Sequence, residues 1–251
     1  KAIAEALGPD RPLIIRTLDV GSDNPLSYLP IPKEGNPFLS ERGLRVGLNH
    51  PEILRIQLRA ILRAATFGKV LIMFPMIGLL SELRDARAIL EEEQRQLGVG
   101  PVPIGIVVEV PAAAVMAAQF AREADFFSIS TDNLTQYTLA MDRGHPKLAA
   151  KMDGLNPSVL QLIAWTVQAA HAEGKWTGVC GGIASDPQAV PLLIGLGVDE
   201  LSVSLPIIPS IKAQIRSLRL SDCQQLAQMA LTLEIAADVR ALCPDPFIEI
   251  V

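Results

Sequence analysis

Ile104-Gly105-Ile106-Val107-Val108-Glu109-Val110-Pro111 decides the fold: an unbroken apolar run, then a carboxylate, then a proline that opens an alanine-rich stretch. Successive side chains of a strand point to opposite faces, so a run without alternation marks a strand covered on both sides. A helix that follows at once supplies the crossover of a parallel sheet. The same unit recurs along the chain. Residues 13–18, 70–75, 104–108, 126–129, 176–179 and 200–203 read as strands. Residues 51–67, 79–97, 112–122, 158–173, 187–196 and 208–217 read as helices, with apolar residues three and four apart. Asn156-Pro157 and Asp186-Pro187 mark two helix starts, and residues 221–241 suggest a helix or helix pair ended by Cys243-Pro244-Asp245-Pro246.

The pattern suits either a doubly wound open sheet or a closed barrel. Polar residues tilt the choice toward the barrel. Arg16 and Asp19, Glu109, Asp132 and Asn133, and Cys180 all fall at or just past the C-terminal ends of strands, which in a barrel converge on one mouth. Six strands are legible, two short of an eight-stranded barrel. The segment 18–40, with four prolines, reads as a long loop of the kind often used at such a mouth.

Composition narrows the function. The 251 residues are 49% hydrophobic and 20% charged, enough for one large core and a single domain spanning 1–251. Aromatics make up only 4%, so aliphatic strands and Ala-rich helices build that core. A net charge of −5 offers no basic field for a nucleic acid, so any anion site must be local. Cys180, Cys223 and Cys243 form no C-x-x-C pair, which points to a reducing, cytoplasmic setting without disulfides or zinc. No apolar run approaches the roughly 18 residues of a membrane span. The chain begins with Lys1 and not Met, which reads as a fragment or processed product.

Arg16, Arg42, Arg45 and Arg143 lie in or beside loops, and a guanidinium fork suits phosphate and carboxylate better than an ammonium does. The plain alternative is pairing with nearby acids such as Glu41 and Asp142. Glu109 could ligate a hard cation with Asp132 at the next strand end, or it could simply serve the helix that follows. Cys180, in Gly178-Val179-Cys180-Gly181-Gly182, could donate a proton or be a small buried hydrophobe. His50, His145 and His171 sit in no nucleophile or metal spacing and read as structural.

Seven segments carry a resemblance: residues 16–21, 36–39, Ile72-Met73-Phe74-Pro75-Met76, Glu109-Val110-Pro111-Ala112, 125–129, Leu134-Thr135-Gln136-Tyr137-Thr138 and His171-Ala172-Glu173-Gly174-Lys175. In this order they resemble enzyme I of the bacterial phosphoenolpyruvate:sugar phosphotransferase system, either as the separate enzyme or within a multiphosphoryl transfer fusion. The resemblance implies a (β/α)8 TIM barrel of the phosphoenolpyruvate/pyruvate-binding type that lacks its first two βα units here, with the phosphohistidine and HPr-binding domains absent. It implies Mg2+-dependent transfer of phosphate from phosphoenolpyruvate to a histidine on another domain and then to HPr, with release of pyruvate, in a homodimer. By the same resemblance Arg16, Arg42 and Arg143 hold the phosphate, with Asn133 among the substrate-binding residues. Glu109 ligates the metal with Asp132 or Asn133, and Cys180 protonates the enolate carbon.

Two positions depart from the family's pattern. The family has Asn-Asp where this chain has Asp132-Asn133, and glutamate where it has Gly182. In an extended segment the two neighbouring side chains would point to opposite sides. An alternative expectation is therefore a catalytically impaired module that senses phosphoenolpyruvate or serves dimerisation.

Overall fold

The computed structural model describes residues 1–243, so Pro244-Asp245-Pro246 lies outside the described residues. The chain divides into two compact units, Lys1–Val107 and a second from Val108 onward. In the first, α1 (Ala2–Leu7) leads into β1 (Leu13–Arg16), followed by α2 (Leu44–Asn49), α3 (Pro51–Ala65), β2 (Val70–Phe74), α4 (Leu80–Leu97) and β3 (Ile104–Val108). Strands β1 and β2 pair in parallel, Leu13 beside Val70, and β2 pairs in parallel with β3, Ile72 beside Ile104. Helix α3 turns Leu54, Leu58, Ile61 and Leu62 inward at helical spacing and packs on α4.

The second unit holds α5 (Pro111–Val115), α6 (Ala117–Ala121), β4 (Phe126–Ser130), α7 (Thr131–Leu139), α8 (Pro157–Ala172), β5 (Trp176–Cys180), α9 (Ala189–Gly195), β6 (Glu200–Leu201), α10 (Ile208–Ser217), α11 (Leu220–Ala230) and α12 (Ala236–Leu242). Here too every pairing is parallel: β4 with β5 and β5 with β6. Phe126 stacks on its cross-strand partner Trp176, centroids 4.7 Å apart, which helps fix that register. Small Ala113, Ala114, Ala117 and Ala121 are all buried, and they let α5 and α6 approach α8 closely.

All six expected strands are present, as an α/β fold of parallel strands. Strand β1 stops at Arg16, short of the expected residue 18, because the Leu18 N–H leaves the ladder and donates to Gln57 Oε1 (2.9 Å). Strand β6 is only two residues long. The expected helix 112–122 is two helices joined at Met116, although no glycine or proline marks the break. Asn156 caps α8 as anticipated, its side chain accepting from Ser158 N. Helix α9 starts at Ala189, two residues past the Asp186-Pro187 signal. The segment 221–241 is indeed a helix pair, α11 and α12.

The long loop 18–40 carries its own small core: Val20 and Leu29, joined by Val46 and flanked by Leu18, Leu26 and Ile31. Among the described residues, no helix is long and apolar enough to cross a membrane.

The main correction concerns residues 131–139. They form α7 directly after β4, so Asp132 and Asn133 lie on the first turn of a helix and not in an extended segment. Their side chains are thus about 100° apart around the helix axis.

Candidate active site

In the second unit the site grows from the first turn of α7. Asn133 is buried and donates from Nδ2 to Glu109 Oε1 (2.8 Å). Glu109, fully buried, follows β3 and precedes Pro111, whose missing N–H suits the first position of α5. The Asn133 Oδ1 accepts from Arg143 Nη2. Gln136, one turn further along α7, accepts from Arg143 through both N (3.0 Å) and Nε (3.2 Å). A continuous chain thus runs from a buried carboxylate through an amide to an exposed guanidinium.

Asp132 faces elsewhere. Its Oδ1 accepts from Gly182 N (3.0 Å), tying α7 to the turn after β5. That turn must come close: a Cβ on Gly181, which has φ +95°, would lie 2.5 Å from Thr131 Oγ1. Thr131 Oγ1 itself donates to Cys180 O (3.0 Å). The Cys180 thiol, half-buried at the end of β5, accepts a weak hydrogen bond from Ser128 Oγ at 3.7 Å. Beside α7 lies a cavity of about 270 Å3, walled by Thr131, Asp132, Thr135, Arg143, Met152 and Ile183, among others. Thr135 is buried there, and its hydroxyl has no hydrogen-bond partner among the described residues.

The first unit has its own cluster at the end of β1. Asp19 lies between two arginines, 3.2 Å from Arg16 Nη1 and 3.5 Å from Arg42 Nη2. Arg42 is buried, also donates to Asp23 Oδ2 (3.1 Å), and rests over the Phe38 ring. Arg16 is half-exposed. Arg45 belongs to a structural device: its Nε donates to Glu82 Oε1 (2.7 Å), and Glu82 Oε2 accepts from the Gly78 and Leu79 N–H groups that open α4.

Arginine pairing with acids is therefore real, but the partners are Asp19, Asp23 and Glu82. Asp142, one of the acids considered from sequence, accepts from Gly144 N. The histidines are engaged locally: His50 faces Glu52, His145 Nδ1 accepts from Lys147 N, and His171 Nε2 meets Asp199 Oδ2.

For a metal, the structure brings Glu109 and Asn133 together and turns Asp132 toward Gly182. Among the described residues there is no group of three or more His, Cys, Asp or Glu side chains placed to hold an ion. Asn133 turns Nδ2 to Glu109 and Oδ1 to Arg143, so a hard cation beside Glu109 would meet the Asn133 oxygen only once the amide turns over, and would take its other ligands from substrate and water. Gln136, Ser128 and Thr131 were missed as site residues. Gln136 lies inside the quoted segment 134–138, so its position was visible but its role was not.

Comparison with known proteins adds the following. The family model described as "PEP-utilising enzyme, PEP-binding domain" matches residues 1–220. The chain is 54% identical over 231 residues to a multiphosphoryl transfer protein of Rhodobacter capsulatus, covering 92% of this chain and 28% of that protein. It is 46% identical over 255 residues to a phosphoenolpyruvate-protein phosphotransferase of Haemophilus influenzae, covering 99% and 44%. The chain thus spans less than half the length of these curated relatives. Among solved structures, a citrate lyase from Burkholderia xenovorans LB400 superposes with a TM-score of 0.54 at 20% identity, over 78% of this chain and 68% of that one. That likeness concerns the fold alone.

Proposed function

We propose, from the premise that this chain belongs to the family of phosphoenolpyruvate-binding domains of PEP-utilising enzymes, that it binds phosphoenolpyruvate for phosphoryl transfer. The observation that carries this reading is the chain from Glu109 through Asn133 to Arg143. It sets an exposed guanidinium at one end and a buried oxygen donor at the other, the two kinds of group a phosphorylated carboxylic acid with a divalent cation requires. The printed names of the relatives point the same way: phosphoenolpyruvate-protein phosphotransferase and multiphosphoryl transfer protein.

In this reading Arg143 pairs with the phosphate and stabilises the charge that moves during transfer. Gln136 and Asn133 hold the guanidinium in place and reduce the disorder it would lose on binding. Arg16 and Arg42 are assigned to the substrate as further arginines, with Asp19 holding the two of them. Glu109 and Asn133 would hold Mg2+, which when bound neutralises phosphate charge and orients the substrate. Asp132 is kept as a further candidate ligand, which would have to leave the Gly182 amide. Cys180 is the proposed proton donor to the enolate carbon, with Ser128 beside its sulfur. The six parallel strands are read as part of a (β/α)8 barrel in one phosphoenolpyruvate-binding domain. The wider assignment is transfer to a histidine on another domain and then to HPr, in a cytoplasmic homodimer.

A second reading has its own observation. The inward position on α7 is the neutral Asn133, and the carboxylate Asp132 is turned to Gly182, so a cation held at Glu109 would meet one charge fewer than two carboxylates would supply. That favours a module that binds phosphoenolpyruvate but turns it over slowly. Calorimetric titration of the purified chain with phosphoenolpyruvate in Mg2+ tests what both readings share. Saturable binding near one per chain is expected. A folded sample that gives no saturable heat would contradict both.

A further inference from the structure

Helix α12 lies beyond the residues matched by the family model, yet its Arg240 reaches into two loops beside the cavity. Arg240 Nε and Nη2 grip Asp153 through both carboxylate oxygens (2.6 and 2.9 Å), and Nη1 donates to Asp186 (2.9 Å) and Gln188 (2.8 Å). Gln188 answers by donating to the carbonyls of Arg240 (3.1 Å) and Cys243 (2.6 Å) at the end of α12. Each gripped side chain also orders its own loop. Asp153 Oδ1 accepts from Leu155 N (2.9 Å), and Asp186 Oδ1 accepts from Gln188 N (2.9 Å).

The two loops meet at the cavity. Met152 and Gly154 from one loop and Ile183 from the other line it, and the loops touch there: a Cβ on Gly154 would stand only 2.5 Å from Ile183 Cγ2. Ile183 follows Gly182, whose N–H holds Asp132. We propose that Arg240 is a positioning residue that braces both loops and thereby keeps the cavity beside Arg143 in its binding shape. A forked, bidentate guanidinium can span two carboxylates in a way that an ammonium cannot, so lysine should not replace it. Burial works against the charge of Asp153, but the bonds from Arg240 and the Leu155 amide outweigh it and hold the Asp153 carboxyl below its ordinary range.

The inference rests on the phosphoenolpyruvate reading for its functional arm, and a second arm is independent of it. Amide hydrogen exchange and phosphoenolpyruvate titration would be run on the full chain as wild type, Arg240→Ala, Arg240→Lys and Asp186→Asn. Expected for Arg240→Ala is faster exchange at Leu155 and Gln188, with the β4 and β5 amides unchanged, and a Kd for phosphoenolpyruvate raised about tenfold. Arg240→Lys should recover less than half of that loss. Asp186→Asn, which frees one arm only, should fall between wild type and Arg240→Ala, and it decides the matter if Arg240→Ala fails to fold. Unchanged exchange at the two amides, or binding equal to wild type despite loosened loops, overturns the proposal. If wild type itself binds no phosphoenolpyruvate, the functional reading and the binding role of Arg240 fall together, while the exchange data still decide whether it braces the loops.

Discussion

Two fully buried glutamates, Glu93 in the first unit and Glu109 in the second, are put to different uses. Glu93 on α4 is met by two arginines of α3: Arg55 Nη1 (2.7 Å) and Arg59, through Nε and Nη2 (3.1 Å). The hydrogen bonds from Arg59 and Arg55 outweigh burial and hold the Glu93 carboxyl below its ordinary value. That charge is committed to holding one helix on another. Glu109 stands at a strand end and meets an amide, and the amide leads on to an exposed arginine. A buried acid tied by arginines across two helices is a fastener. A buried acid with an amide at a strand end can exchange that amide contact for an ion.

This contrast can be broken at several points. Arg143→Ala should weaken phosphoenolpyruvate binding by about 100-fold, the upper range for a hydrogen bond to a charged group, when titrated calorimetrically in Mg2+. Unchanged binding would remove Arg143 from the site. Asn133→Asp supplies a second carboxylate beside Glu109, so Mg2+ should bind about tenfold more tightly. The like charges should also lower the melting temperature when the ion is withheld. Thermal melts across a Mg2+ series would read both effects.

The Glu93 fastener should respond to acid. Its folded pKa is depressed, so its contribution is complete above the ordinary carboxylate value of about 4.5 and is lost as pH falls below that toward the folded pKa. Glu93→Gln should therefore flatten the fall in melting temperature below about pH 4.5 relative to wild type. The smallest effect is expected at the start of α8. Asn156→Ala removes the cap of α8 at a cost of about 1 kcal/mol, visible in urea unfolding with no change in binding.

Much of this organisation could be read from the sequence wherever an apolar run ends abruptly. Arg16 closes β1, Glu109 follows β3 and Cys180 closes β5; β3 in particular is apolar and buried along its whole length, so the first charged residue stands just past its end. Helix α7 was hidden. Thr131–Leu139 is rich in Thr, Asn, Asp and Tyr, which are weak helix formers, and it follows β4 without a loop. Tertiary contacts decide its conformation, among them the Thr131 bond to Cys180 O and the Asp132 bond to Gly182 N. Reading that segment as extended obscured which of Asp132 and Asn133 turns toward Glu109. Partners far apart in sequence were equally opaque: Arg45 with Glu82, and Arg240 with Asp153, are pairings that only the fold creates.

The most direct test sets Glu109→Gln against Glu93→Gln, each measured for melting temperature and for phosphoenolpyruvate affinity with and without Mg2+. The account predicts that Glu109→Gln melts within a few degrees of wild type and loses the Mg2+-dependent part of phosphoenolpyruvate binding, while Glu93→Gln melts lower and keeps it. Mg2+-dependent binding that survives in Glu109→Gln would contradict the account, because Glu109 would then be a second fastener and the ion would be held elsewhere.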